Sequence, residues 1–174
     1  MIYQPAEDSF LLKKHIAKYS KNKIILDMGT GSGILAEEAS KNAKKVYALD
    51  TDKESIDYCR KKFGNKVDVR KSDLFSNIKE KFDLIIFNPP YLPKDLREDE
   101  KSARATTGGK KGFEIIERFL KEAKRHLNKD GKILFLFSSL SGDVENLFKK
   151  YGFKAKKIDE EKLFFEKLYA YLLQ

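Results

Sequence analysis

Three aspartates, a cluster of glycines and one asparagine recur in this sequence, each at the end of a short apolar run. Asp27, with Gly29, Gly31 and Gly33 just behind it, follows "KIIL". Asp50 closes "KKVYAL", Asp73 follows "KVDVRKS", and Asn88-Pro89-Pro90-Tyr91 follows "FDLIIF". Closely spaced glycines let a backbone bend and approach a ligand with no side chain in the way. A carboxylate directly before them repels a pyrophosphate and suits an ammonium group instead. Asp50, 17 residues after Gly33, stands about where an acid takes the two hydroxyls of a ribose. Asp73, beside Leu74 and Phe75, can accept from an adenine amine while Leu74 lies against the ring. A nucleoside that carries a cation and no phosphate is S-adenosylmethionine. A dinucleotide or plain phosphate site is the alternative, although the glycine spacing departs from the usual G-x-G-x-x-G.

These residues need elements to hold them. "EDSFLLKKHIAKY" (7–19) has helical spacing, and after it short apolar runs alternate with amphipathic stretches. The expected strands are "KIILDM", "KKVYALD", "KVDVRKSD", "FDLIIFN" and "GKILFLFS"; the helices between them include "KESIDYCRKKF" and "FEIIERFLKEAKRHL". The C-terminal "FKAKKID…KLFFEKLYAYLLQ" reads as a hairpin. Such alternation predicts an α/β fold, a parallel sheet with helices on both faces, whose ligands bind at the carboxyl ends of the strands. All four polar strand ends fall on that edge. Two consecutive prolines after the fourth strand give up two backbone donors, which suits a bend or a rigid platform facing a ligand.

Composition narrows the setting. The 174 residues fit one domain, expected over 1–174, with no separate target-recognition domain. No apolar run approaches the roughly 20 residues needed to cross a bilayer. Glu7 and Asp8 stand where a secretory signal would be basic and then apolar, which points to a cytoplasmic protein. The single cysteine, Cys59, excludes an internal disulfide and a multi-cysteine metal site; it suits a buried helical face. The net charge of +9 is spread along the chain and reads as a solvated surface rather than a nucleic-acid stripe. His15 and His126 fall on helices away from the strand ends and read as ordinary structural histidines.

Taken together, "YQPAEDSFLL", "LDMGTGSG", "YALD", "SDLF", "NPPY" and "ATTGGKKG" resemble the HemK-type class I S-adenosylmethionine-dependent methyltransferases. The resemblance covers nearly the whole chain and is strongest to the short archaeal and eukaryotic branch, which methylates the glutamine of the GGQ motif in class I release factors. It implies a Rossmann-like seven-stranded sheet of order 3-2-1-4-5-7-6 with strand 7 antiparallel. By position, it implies that Ser9, Asp27 and Gly29 lie at the cofactor's methionine end and that Gly31 also binds the cofactor. Asp50 takes the ribose, Asp73 and Leu74 the adenine, and Asn88 borders the cofactor. Asn88, Pro89, Pro90, Tyr91 and Leu92 match the substrate-binding stretch, with Asn88, Pro89 and Tyr91 catalytic and no metal. Tyr3 and Pro5 are expected to wall the pocket. Met28 and Thr106-Thr107 depart from the family's usual residues, and the second departure touches the substrate rim. The resemblance also implies a small Trm-type activator protein as heterodimer partner, seated at the edge formed by "KVDVR".

The chemistry of Asn88 then has a target. An amide nitrogen is a poor nucleophile because its lone pair is delocalised. Two acceptors, Asn88 Oδ1 and the Pro89 carbonyl, would hold its two N–H groups and stabilise developing positive charge. Tyr91 offers a face for a planar group. An exocyclic amine of adenine or guanine in RNA or DNA poses the same geometric problem and is the alternative acceptor. A small-molecule methyltransferase and a non-catalytic binding subunit are the other classes. Loop 94–111 is the expected recognition segment, and its adjacent glycines are expected to let a substrate backbone come close.

Overall fold

The computed structural model describes residues 5–93 and 106–174. A seven-stranded sheet is built from β1 (Ile24–Met28), β2 (Lys45–Asp50), β3 (Asp68–Lys71), β4 (Phe82–Phe87), β7 (Leu127–Ser138), β8 (Ala155–Lys162) and β9 (Lys167–Leu173). Its order is β3-β2-β1-β4-β7-β9-β8, and β9 runs antiparallel to both neighbours. That is the expected seven-strand order once two short strands are set aside. These are β5 (Leu92–Pro93) and β6 (Thr107–Gly109), which pair parallel as a separate ribbon. The helices are α1 (Glu7–Ser20), α2 (Ile34–Ser40), α3 (Lys53–Phe63), α4 (Glu114–Ala123) and α5 (Val144–Lys150).

Period-2 alternation sorts the strand side chains onto two faces. Leu26, Ile85, Phe87, Ile133, Phe135 and Phe137 join one core with Ile116, Phe119 and Leu120 of α4 and Phe148 of α5. Ile25, Leu84, Ile86, Leu134 and Leu136 join the other with Leu11, Leu12 and Ile16 of α1, and with residues of α2 and α3. The first core is aromatic: Phe119 lies between Phe87 and Phe135, at centroid distances of 4.3 and 6.0 Å. Burying a ring of this size contributes roughly 1.5–3 kcal/mol.

The sheet reverses direction of winding at β1, which pairs with β2 on one side and β4 on the other. Met28 lies opposite Phe87 across that seam, so Gly29 and Asn88 leave the sheet side by side. This is the switch point at which open α/β sheets form a ligand crevice.

Candidate active site

A cavity of about 670 Å³ opens at the switch point. It is lined by the glycine loop, by Asp50, Asp73 and Leu74 from the next two strand ends, and by Asn88 through Leu92 from the fourth. Ser9 reaches it from the first turn of α1. Helix α4 adds Ile115 and Arg118, and Thr106 closes one side.

The floor is the loop after β1. Gly29, Gly31 and Gly33 all have positive φ, and at Gly33 the reason is packing as well as conformation. A Cβ there would come within 2.7 Å of the Phe63 ring and 3.0 Å of Cys59 Sγ, so only glycine lets α3 close under the loop. Cys59 is buried, its Sγ 3.4 Å from the Gly31 carbonyl, and burial pushes its thiol up to about 11. It is a packing residue.

Asp27 lies beneath this floor and does not line the cavity. It is 1% exposed, and its Oδ2 accepts from Thr30 Oγ1 at 2.7 Å and from the Ala36 N–H at 3.0 Å. Oδ1 has no partner among the described residues. Burial, with a smaller push from Asp50, raises the carboxyl to about 7. Asp50 does line the cavity. Its two oxygens accept from the N–H groups of Gly31 at 2.8 Å and Asp52 at 2.9 Å, and burial raises its pKa. One carboxylate thus ties the glycine loop to the end of β2, with lone pairs left for further donors.

Asp73 and Leu74 sit on a turn held by Ser72. The Ser72 hydroxyl donates to the Leu74 carbonyl at 2.7 Å and accepts from the Asn77 N–H at 3.1 Å. Leu74 has φ +48°, a conformation that strains a leucine, and it is buried against the aromatic core. The Asp73 carboxylate pairs with Arg118 at 2.8 Å on the open side of the cavity.

At the fourth strand end, Asn88 Nδ2 donates to Asp8 Oδ2 at 2.9 Å. A carboxylate only accepts, so this contact fixes which end of the amide is nitrogen. Asn88 Oδ1 is shielded from solvent and has no hydrogen-bond partner among the described residues. Asp8 is itself 4% exposed, and its Oδ1 accepts from the Ser9 N–H at 2.6 Å. Buried acceptors are nearly always satisfied in folded proteins, which sets this orphan on a cavity-lining residue apart.

The Pro89-Pro90 segment is braced from behind. A Cβ at Gly108 would run into the carbonyl oxygen of Gly112 and come within 2.7 Å of that of Pro90. At Gly109, with φ +119°, it would collide with Glu114. The adjacent glycines therefore serve the chain's own packing against the Pro-Pro platform. Residues 94–105 of the expected recognition loop and Tyr3 lie outside the described residues. Pro5 is partly buried and does not line the cavity.

Asp8 and Arg118 were not singled out from the sequence. Two acids in a helix's first turn are explained by the helix dipole alone, which hid Asp8. His15 pairs with Asp159 at 2.8 Å, and His126 stacks on Phe75 at 4.4 Å; neither lines the cavity. No cluster able to hold a metal occurs among the described residues.

Comparisons with known proteins fit this geometry. Residues 7–164 match the methyltransferase small domain family. A protein of Methanocaldococcus jannaschii, provisionally named a protein N5-glutamine methyltransferase, is 41% identical over 96% of this chain and 88% of its own length. The release factor glutamine methyltransferase of Streptococcus pneumoniae is 34% identical over 75% of this chain and 51% of its own. The chain thus spans about half the length of that bacterial relative. In fold, it superposes on the E. cuniculi Mtq2 structure with a TM-score of 0.80 at 23% identity, covering 99% of this chain and 98% of that one. That structure is a Mtq2–Trm112 complex responsible for methylating the eRF1 termination factor. With these matches and a polar crevice at the switch point, the chain belongs to the methyltransferase small domain family.

Proposed function

We propose that this protein transfers a methyl group from S-adenosylmethionine to the side-chain amide nitrogen of a glutamine, that of the GGQ motif in a class I release factor. The observation that carries the reading is Asn88, a cavity-lining residue whose Nδ2 is held by Asp8 and whose shielded Oδ1 has no donor among the described residues. A primary amide brings two N–H donors to such a site.

The cavity fits the cofactor. Its volume is in the range of small-ligand sites. Asp50 offers lone pairs to ribose hydroxyls, Leu74 and Ile115 offer apolar surface to a base, and Asp73 offers an acceptor to its amine. The buried Asp27 carboxyl and its orphan Oδ1 put negative character under the glycine loop, where Ser9 and Gly29 would meet the methionine end. When bound, the cofactor supplies a methyl group activated by a sulfonium.

The chain's own residues then position and stabilise. Asn88 Oδ1 and the Pro89 carbonyl would accept hydrogen bonds from the two amide N–H groups and so orient the nitrogen for transfer. The two acceptor dipoles would stabilise the positive charge passed to the nitrogen as the C–N bond forms and the cofactor's sulfur–methyl bond breaks, leaving a neutral thioether. The proton leaves to solvent once the nitrogen is cationic, so no general base is needed. Tyr91, packed against both cores, presents its ring beside the platform.

An activator protein belongs to the same reading. β3 is a four-residue strand at the edge of the sheet, and an uncovered edge favours a partner. Co-expression with a Trm112-type protein should then raise solubility and activity; a lone chain that is stable and fully active would contradict this.

The test is transfer of labelled methyl to purified release factor, to its GGQ→GGR variant, and to tRNA and DNA. Label in the intact factor alone is expected. Label in nucleic acid with none in release factor would establish the exocyclic-amine alternative instead.

A further inference from the structure

The β8–β9 hairpin ends in two residues that neither the fold nor the cavity uses. The Leu163 N–H donates to the Glu166 carbonyl at 2.9 Å, closing a two-residue turn at Phe164-Phe165. Such turns favour Gly, Asn and Asp, which tolerate left-handed backbone or hydrogen-bond locally. Neither Phe164 nor Phe165 takes a left-handed backbone here, and neither side chain can hydrogen-bond to the turn. Burial does not account for the pair, since Phe164 is 92% and Phe165 86% exposed. The rings meet edge to face, with centroids 4.6 Å apart.

The mount beneath them is firm. Leu163 packs against the core, and Glu166 accepts from the Ser138 hydroxyl. The Ser139 N–H donates to the Lys167 carbonyl at 2.8 Å, and the Lys167 N–H returns to Ser139 Oγ at 3.0 Å. Ser138 lies opposite Leu168, so the tip stands at the carboxyl end of β7, on the same edge of the sheet as the cavity. The rim between them is continuous. Gly142 lies against the Phe113 ring, and Gly108 packs between Gly112 and the Pro90 carbonyl of the catalytic platform. Half-exposed Leu140 follows the same rim.

We infer that the Phe164-Phe165 tip is a docking knob for the protein substrate, seated in an apolar patch of that protein. The inference rests on the proposed function, in which the substrate is a folded protein. A cavity of about 670 Å³ takes a nucleoside-sized ligand and one side chain, so the remainder of such a substrate must be gripped outside it. Lys162, Glu166 and Lys167 flank the tip, and Glu160 interacts with both Lys157 and Lys167. The knob is therefore aromatic within a surround of mixed charge, and its complement on a partner is an apolar patch.

The test compares wild type with the double variant Phe164→Ser/Phe165→Ser, using purified release factor as substrate. The KM for release factor should rise about tenfold, the scale of losing aromatic anchors from an interface. The dissociation constant for S-adenosylmethionine and the melting midpoint should stay at wild-type values. A Phe164→p-benzoylphenylalanine variant should cross-link release factor on irradiation. An unchanged KM alongside normal wild-type methylation would overturn the docking inference alone. So would loss, in the double variant, of wild-type self-association or of binding to anionic vesicles while KM stays constant. A wild type that methylates nucleic acid and not release factor would overturn the underlying reading together with the inference.

Discussion

Asn88 Nδ2 and Asp8 Oδ2 meet at 2.9 Å, joining the end of the fourth strand to the first turn of the first helix. The contact decides how the asparagine works. With its nitrogen committed to a buried carboxylate, the amide can present only its oxygen to a ligand, and the negative charge polarises that oxygen further. Replacing Asp8 by asparagine keeps the volume but lets the Asn88 amide turn over. The Asp8→Asn variant should lose about 10- to 100-fold in kcat, comparable to losing a preorganised dipole from an active site. Calorimetry should show cofactor affinity within about threefold of wild type; a loss of affinity as large as the loss of kcat would mean that Asp8 serves the cofactor.

Gly108 tests the bracing of the platform. Its Cα faces the Gly112 and Pro90 carbonyls with no space for a methyl group. Gly108→Ala should push Pro90 outward, costing roughly 1–3 kcal/mol of stability by overpacking and on the order of tenfold in kcat. Thermal melting and steady-state kinetics read the two effects separately. Cofactor binding, which rests on the first three strand ends, should change little.

Asp27 sets a pH dependence. Its carboxyl is raised from 3.8 to about 7, so across that interval the folded chain holds a proton that the unfolded chain has released. Stability of the ligand-free protein therefore falls as pH rises through this window. Asp27→Asn removes the effect: below about pH 4 melting should be nearly unchanged, and the variant should gain on wild type as pH rises, reaching roughly 4 kcal/mol at pH 8. Cofactor affinity should move the other way in the wild type, rising as Asp27 ionises.

The Arg118–Asp73 pair joins two side chains that are each more than half exposed. Such pairs contribute less than about 1 kcal/mol, so Arg118→Ala should leave the melting midpoint nearly unmoved. Its effect belongs to the ligand. Asp73→Ala should weaken S-adenosylmethionine binding by about tenfold, the scale of one hydrogen bond to a charged group, and Arg118→Ala by about threefold or less. Fluorescence or calorimetric titration checks the order.

The elements that position the site were legible where local chemistry marks their ends. Helix α3 has the boundaries read from sequence because Asp52 caps its start, accepting from the Ser55 N–H at 3.1 Å, and Gly64 ends it. The β5–β6 ribbon was not anticipated, since strands of two and three residues show no periodicity. β7 begins four residues before the apolar run that betrayed it, through a register shift opposite Phe82 and Leu84. Within the site, Asp50, Asp73 and Asn88 were legible because strand ends face the crevice in this architecture. Asp27 was found for the right strand end, but alternation turns it under α2 rather than into the cavity. Asp8 and Arg118 act through partners 80 and 45 positions away, and no local pattern announces such contacts.

The most direct measurement of the central claim is the Asn88→Ala variant, assayed for methyl transfer to release factor and for S-adenosylmethionine binding by calorimetry. The account predicts that turnover falls by at least about 100-fold, the scale of removing a preorganised dipole, while the cofactor still binds within about threefold of wild type. Turnover that persists, or cofactor binding lost in step with turnover, would contradict the assignment of Asn88 Oδ1 to the target amide.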